Sequence, residues 1–298
     1  MSTRVHTLIG CSLFAMLFLS CSPQGDVSAS ATAPVRVSFE LTRPDDDVSG
    51  FTVLGRQDMA TDELTSLRSL LILDVTSASE STPATQLLLT SDQACVVNPS
   101  LDLDAREYTL YFIASTYDLG YDPQTGLVDV LDPEFSTDAE PVSVYATKVV
   151  FDLSDGLSQN VKVTLGSICA TVQITVSDMF SSSAAVLTCT YAGPKSLRPL
   201  PTGLQSEGAC TRASYRNVAW YTYGANTELN KNPKAITYTL LCPESCTRDL
   251  TWKLYKKDGT KEYRTSEPAS GQAQHNASSV PLRPSVKTVI SAFSLYTK

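Results

Sequence analysis

Cysteine is the residue of this sequence with the most chemistry to offer. Past residue 30 it stands at Cys95, Cys169, Cys189, Cys210, Cys242 and Cys246. An even number permits complete disulfide pairing in an oxidising compartment, although spacing alone does not decide the partners. In Cys242-Pro243-Glu244-Ser245-Cys246 the proline predicts a turn, across which a local disulfide is one candidate pairing and a zinc-ligand pair a weaker alternative. A zinc site there lacks partners, since the only histidines are His6 and His275. His275, in Gln274-His275-Asn276-Ala277-Ser278, reads as a solvated loop residue and not as a general base. Asp118, Asp122, Asp129, Asp132 and Glu134 gather carboxylates without the spacing of a calcium loop, and a solvated acidic loop is expected. No G-x-S-x-G, P-loop, H-E-x-x-H or dinucleotide fingerprint is present. These residues predict a protein that is not an enzyme and carries no cofactor or metal.

The N-terminus has a chemistry of its own. Leu8 to Leu19 is almost wholly apolar, follows Arg4, and runs into Ser20-Cys21-Ser22-Pro23. About twelve apolar residues fall short of the about twenty that a membrane-spanning helix needs, so the segment reads as a signal peptide. Phe18-Leu19-Ser20-Cys21 resembles a bacterial lipobox, which implies that Cys21 is lipidated and becomes the mature N-terminus. The alternatives are an ordinary cleaved leader with a free Cys21, and lipidation at Cys11, which has too little apolar leader before it. On the first reading residues 1–20 are the leader and residues 21–34, small and polar, are a flexible tether.

A chain of 298 residues is long enough for two domains of ordinary size. Its formal charge of −8 and its lack of a long basic run argue against nucleic acid or anionic lipid as a partner.

The elements that must position these residues are short and alternating, the pattern of an all-β protein. Val35, Val37, Phe39 and Leu41 fall on one face of a half-buried strand. Further strands are expected at Leu70 to Val75, Gln86 to Leu89, Tyr108 to Ala114, Val142 to Phe151 and Val161 to Leu165. Others are expected at Ala185 to Tyr191, Ala235 to Leu241, Leu250 to Tyr255 and Val286 to Tyr296. Asp62 to Leu71 is read as one or two helical turns. Apolar parity changes between Leu165 and Ile168, so the strand pattern must break at Gly166-Ser167. A domain boundary is placed at the polar connection Asp155 to Asn160, giving β-sandwiches over residues 35–157 and 158–298.

The order of the parts is similar to the fimbrillin-like lipoproteins of Bacteroidales, which include fimbrial shaft, tip and anchor subunits. It runs from the lipid-anchored leader through Val35 to Leu41, Leu70-Leu71-Ile72-Leu73-Asp74 and Glu107-Tyr108-Thr109-Leu110-Tyr111-Phe112-Ile113-Ala114. Val161-Lys162-Val163-Thr164-Leu165 and Cys169-Ala170-Thr171-Val172-Gln173-Ile174 continue it. The resemblance implies two tandem transthyretin-like (Greek-key) β-sandwich domains. It also implies a structural or adhesive subunit, surface-exposed on the outer membrane, with other fimbrial subunits, itself, or a host protein or glycan as partner. Shaft subunits of this kind polymerise by strand exchange after a protease removes the first strand. Here the removable strand would be Val35 to Leu41, cut after Arg43, Arg56 or Arg68. Pro44 disfavours the first of these and leaves Arg56 the better candidate. The donor strand would carry Val286, Val289, Ile290, Phe293 and Leu295. For both segments the alternative is a permanent strand of its own domain.

A second functional class is a surface glycan-binding lipoprotein using an aromatic platform at Trp220, Tyr221 and Tyr223. Alternation sets Trp220 opposite the two tyrosines, which favours packing over sugar stacking. Lys253, Lys256, Lys257, Lys261 and Arg264 surround an Asp258-Gly259 hairpin signal and read as a solvated hairpin.

Overall fold

Period-two alternation becomes strand after strand in the computed structural model, which describes residues 34–42, 66–132, 142–176, 180, 184–218, 234–256 and 274–295. In chain order the elements are β1 (Val35–Thr42), β2 (Ser69–Asp74), β3 (Thr85–Thr90), α1 (Gln93–Val97), β4 (Ser100–Leu103) and β5 (Glu107–Ser115). Then come β6 (Leu119–Asp122), β7 (Leu127–Val130), β8 (Val144–Asp152), β9 (Gln159–Thr164), β10 (Gly166–Ser167) and β11 (Cys169–Val176). The remainder are β12 (Ala184–Leu200), β13 (Gly203–Asn217), β14 (Lys234–Leu241), β15 (Cys246–Lys256), β16 (Gln274–Leu282) and β17 (Lys287–Phe293). The all-β expectation holds.

The first half packs a three-stranded sheet, β4-β1-β9, on a five-stranded sheet, β10-β8-β5-β2-β3. Between them Val37, Phe39, Leu70, Ile72, Phe112 and Val163 form an apolar core. Phe39 meets Phe112 edge to face, with ring centroids 4.9 Å apart. The second half packs β14-β11-β17 on a sheet in which β16, β15, β12 and β13 are neighbours. Trp252, Tyr238, Val172, Ile174, Leu187 and Phe293 belong to its core. Trp252 and Phe293 stand 5.5 Å apart and nearly perpendicular.

The two halves share one topology. β1 and β11 are each the middle strand of a three-stranded sheet, flanked by an antiparallel strand (β4 or β14) and a parallel one (β9 or β17). The facing sheets run β8-β5-β2-β3 and β16-β15-β12-β13, the same order by rank along the chain. Two features depart from the repeat. Hairpin β6–β7 is inserted between β5 and β8 and joins the sheet of the second half where Val128 pairs with Leu197. The hairpin β12–β13 is far longer than its counterpart β2–β3, with strands of 17 and 15 residues.

These two departures create a third core. Leu71, Leu73, Tyr111 and Ile113, on the far face of β2 and β5, are covered by Val128 and Val130 of the inserted hairpin and by Cys169, Leu197 and Leu241. β2 is therefore buried on both faces, and its six residues are all buried. This explains why Leu70-Leu71-Ile72-Leu73 does not alternate: a strand covered on both sides has no polar face to keep.

Several local expectations are corrected. Strand β2 begins at Ser69, so the helical turns placed over Asp62 to Leu71 do not reach its end; residues 61–65 lie outside the described residues. The carboxylates Asp118, Asp122, Asp129 and Asp132 line the β6–β7 hairpin and not an irregular loop; Glu134 lies outside the described residues. Asp122 shapes the turn by accepting the Gln124 amide at 2.8 Å and the Thr125 hydroxyl at 2.7 Å, and Gly126 follows with φ +71°. His275 is a half-buried strand residue on β16, tilted against Trp252 and Phe293, because the strand puts it opposite Trp252 in register.

Candidate functional site

The site begins with β1. Its odd residues point inward, where Val35, Val37, Phe39 and Leu41 are all at least nine-tenths buried. Phe39 also meets Phe151 at 5.9 Å. Each fully buried side chain of this size contributes about 1.5–3 kcal/mol. On one side β1 pairs with β4 from Val35 to Ser38, and the Phe39 amide donates to the Pro99 carbonyl at 2.9 Å. On the other it runs parallel to β9 from Val37 to Thr42. Its outer face is polar: Arg36 donates to Ser100 Oγ at 3.0 Å and lies 4.0 Å from Asp102, and Ser38 and Glu40 are exposed. β1 is thus a plug, apolar inward and solvated outward, seated between two strands that each supply a backbone edge.

The C-terminal strand is seated differently. β17 lies at the edge of its sheet, parallel to β11, in the position that β9 holds in the first half. Val286 and Val289 are exposed, at 37% and 54%, whereas Ile290 packs against the core and Phe293 and Leu295 are buried in it. His275 Nδ1 lies 2.9 Å from the Ser294 carbonyl and ties the end of this segment to β16.

Of the three arginines considered for processing, only Arg68 is among the described residues. Its side chain is exposed and lies 5.9 Å from the centre of the Tyr117 ring. Its amide donates to the Ser115 carbonyl at 2.8 Å, and its neighbours Leu67 and Ser69 are buried. A protease cutting there would have to pull out the start of β2. Arg43 and Arg56 lie outside the described residues, as do Cys21, Trp220, Tyr221, Tyr223 and the Asp258-Gly259 hairpin with Lys257, Lys261 and Arg264. Lys253 and Lys256 are on β15.

The Cys242 and Cys246 sulfurs are 3.6 Å apart. Burial, with Cys246 beside it, pushes the Cys242 thiol up to about 12. Cys169, fully buried, is likewise pushed up to about 12, and its sulfur accepts the Val144 amide at 3.4 Å. Cys189 is raised by burial in the second core. Burial thus disfavours the thiolate form of all three at neutral pH. Among the described residues no group of three or more His, Cys, Asp or Glu is placed to hold a metal ion. No helix among them is long and apolar enough to cross a membrane.

Sequence reasoning missed the buried arginine of the third core. Arg212 is 3% exposed and donates to Asp132 Oδ1 and to the carbonyls of Pro194, Val130 and Lys195. Nothing local signals it, because its partners come from two other strands and from the end of the inserted hairpin.

Two sandwiches of one topology, joined by an inserted hairpin and a long β-arm, define the class of protein: an all-β tandem sandwich. Solved structures to which it is similar include the fimbrial anchor protein Mfa2 of Porphyromonas gingivalis, at 13% identity and a TM-score of 0.42, over 77% of this chain and 80% of that one. A candidate cell adhesion protein of Bacteroides eggerthii overlaps at 10% identity and a TM-score of 0.43, over 88% of each chain. A candidate polysaccharide-binding protein of Bacteroides thetaiotaomicron does so at 10% identity and a TM-score of 0.41, over 76% of this chain and 78% of that one. No family model and no curated protein matches the sequence.

Proposed function

We propose that this chain is a non-enzymatic structural or adhesive subunit of a cell-surface, fimbria-like assembly, tethered through a lipid on Cys21 and joined to its neighbours by β-strand addition in the first sandwich. The observation that carries this reading is the seating of β1: a single strand whose four inward side chains complete a core, held between β4 and β9. Removing it would leave an apolar groove with unpaired backbone along both walls, the requirement for β-augmentation. A cut after Arg56 or Arg43 would release β1 well clear of β2, whereas a cut after Arg68 falls directly before Ser69, the first residue of β2, and removes the buried Leu67.

The second sandwich is the closed partner in this scheme. Donating β17 to a neighbour would withdraw Phe293 and Leu295 from a core that they help to fill. The loss of two large buried side chains favours β17 as a permanent strand, and the chain then acts as an acceptor or a terminal anchor and not as a donor.

The test is stepwise heating of native surface extracts in detergent, blotting for this chain, with mass spectrometry of its N-terminus. A high-mass ladder whose N-terminus begins after Arg56, Arg43 or Arg68 is the result expected of a processed acceptor. A terminal anchor runs in the same assemblies but keeps acylated Cys21 and β1. A single monomer band throughout, with no partner co-purifying, overturns the assembly reading.

A further inference from the structure

We propose that Cys242 and Cys246 close a disulfide across the turn between β14 and β15, stapling the corner at which the chain passes from one sheet of the second sandwich to the other. Both ends of this corner are pinned before any bond forms. Cys242 follows directly on β14, and its amide donates to the Ile168 carbonyl at 3.0 Å. Cys246 opens β15 and lies opposite Leu282 of β16. Between them Pro243 restricts the backbone of the turn. The sulfurs, 3.6 Å apart, need to approach by about 1.5 Å to reach bonding distance, a movement within reach of side-chain rotation.

The remaining described cysteines are engaged elsewhere. Cys169 faces β8 through the Val144 amide, Cys189 is buried in the core, Cys210 Sγ lies 3.6 Å from the Pro194 carbonyl, and Cys95 lies beside Asp92 on α1. Access within the pair is unequal, because Cys242 is buried and Cys246 is partly exposed. That asymmetry orders the chemistry. With a low-molecular-weight disulfide as oxidant, the Cys246 thiolate attacks one of its sulfurs and expels the first thiolate. The Cys242 sulfur then attacks Cys246 Sγ, forms the intramolecular bond and expels the second thiolate, which takes up the Cys242 proton. Two protein thiols lose two electrons and two protons, and the oxidant becomes two thiols.

The bond would join the ends of β14 and β15, beside a small hollow lined by Pro194, Ser206, Glu244 and Arg248. That is the region where the long β12–β13 arm passes the corner, so the staple fixes the second sandwich where the third core begins.

The test uses the full chain, purified under reduction and exposed to oxidised glutathione. Free thiols are then blocked with iodoacetamide and the protein is digested with trypsin. Cleavage after Lys234 and Arg248 releases Ala235 to Arg248 with both cysteines on one peptide. The expected product is this peptide about 2 Da lighter than its dithiol form, unalkylated until reduced. The oxidised protein should also melt higher than the reduced one, and Cys246→Ser should abolish both changes. Alkylation of both cysteines, glutathione retained on Cys246, or a cross-link to another peptide would each overturn the proposal. Neither export nor assembly is needed for this measurement, so its failure leaves the functional reading standing.

Discussion

Arg212 Nη1 lies 2.6 Å from Asp132 Oδ1, across 80 residues of sequence. The same guanidinium donates from Nε to the Pro194 carbonyl at 2.8 Å and from Nη1 to the Val130 carbonyl at 3.1 Å. One side chain thus ties the end of the inserted hairpin to the long β-arm of the second half. Burial pushes the Asp132 carboxyl up, and Arg212 offsets only part of that effect. The pair therefore acts less as a net source of stability than as a lock whose halves cannot be removed singly.

Arg212→Met keeps the aliphatic stem but removes every donor, leaving a carboxylate and several carbonyls short of partners. The expected loss is about 3 kcal/mol, read as a lower urea midpoint. Asp132→Asn keeps an acceptor near the guanidinium but leaves its charge buried without a counter-charge, so a loss of similar size, about 3 kcal/mol, is expected. An Arg212→Met protein with an unchanged midpoint would show that water replaces the guanidinium and that the lock is dispensable.

Asp74 predicts how stability depends on acid. Burial alone would raise its carboxyl, but bonds from the Thr76 hydroxyl and amide and from Arg106 outweigh it and hold the group below its ordinary value of 3.8. A folded-state value depressed in this way contributes stability that is fully present above the unfolded value and is lost as pH falls through the folded one. The stability gap between the native protein and Asp74→Asn should hold steady from neutrality to mildly acidic pH and close below the ordinary carboxylate range. Urea midpoints measured along that range test it. Since Arg106 is 46% exposed, added salt should narrow the gap further.

What could be read from the sequence follows from where side chains are buried. β1 was legible because one of its faces is buried and the other wet, as Phe39 and Glu40 illustrate. β2 and β5 were legible as unbroken apolar runs, although the third core that makes them so was not. β13 and β16 carry no such signal because much of each is polar: Gln205, Ser206 and Glu207, or Gln274, His275 and Asn276, are placed by backbone pairing to β12 and β15. Backbone hydrogen bonds leave no periodic signature in side-chain type. His275 was misread for the same reason, since its polar neighbours suggested a loop while its register set it against Trp252. Around the candidate site β1, β9 and β17 are legible from their apolar residues, whereas β4, only four residues long, carries too short a pattern to be read.

Phe293 tests whether β17 is permanent. Its ring is 4% exposed and packs against Trp252 and His275, so Phe293→Ala should cost about 3–5 kcal/mol and loosen the end of the chain. The chain has two tryptophans, so a Trp220→Phe background lets Trp252 fluorescence report on the second core alone. The expected result is an earlier, still cooperative loss of Trp252 burial in urea. Val289→Ala, at an exposed position of the same strand, should leave the midpoint within about 0.5 kcal/mol. If Phe293→Ala is equally silent, β17 is free to leave and the case against its acting as a donor falls.

The plug itself can be challenged with a peptide. A chain beginning after Arg43 lacks Val35, Val37, Phe39 and Leu41, and should expose an apolar groove that binds a hydrophobic dye and draws copies together. A synthetic peptide with the sequence Val35 to Thr42 should refill the groove, lower dye binding and restore a monomer. The control is the same composition with its apolar residues moved by one position, because a shift of one turns every inward side chain outward while keeping the backbone donors and acceptors. If both peptides bind equally, the groove reads backbone alone and cannot select a partner strand. If only the native register binds, the spacing of Val35, Val37, Phe39 and Leu41 sets the requirement that a neighbour's strand has to meet.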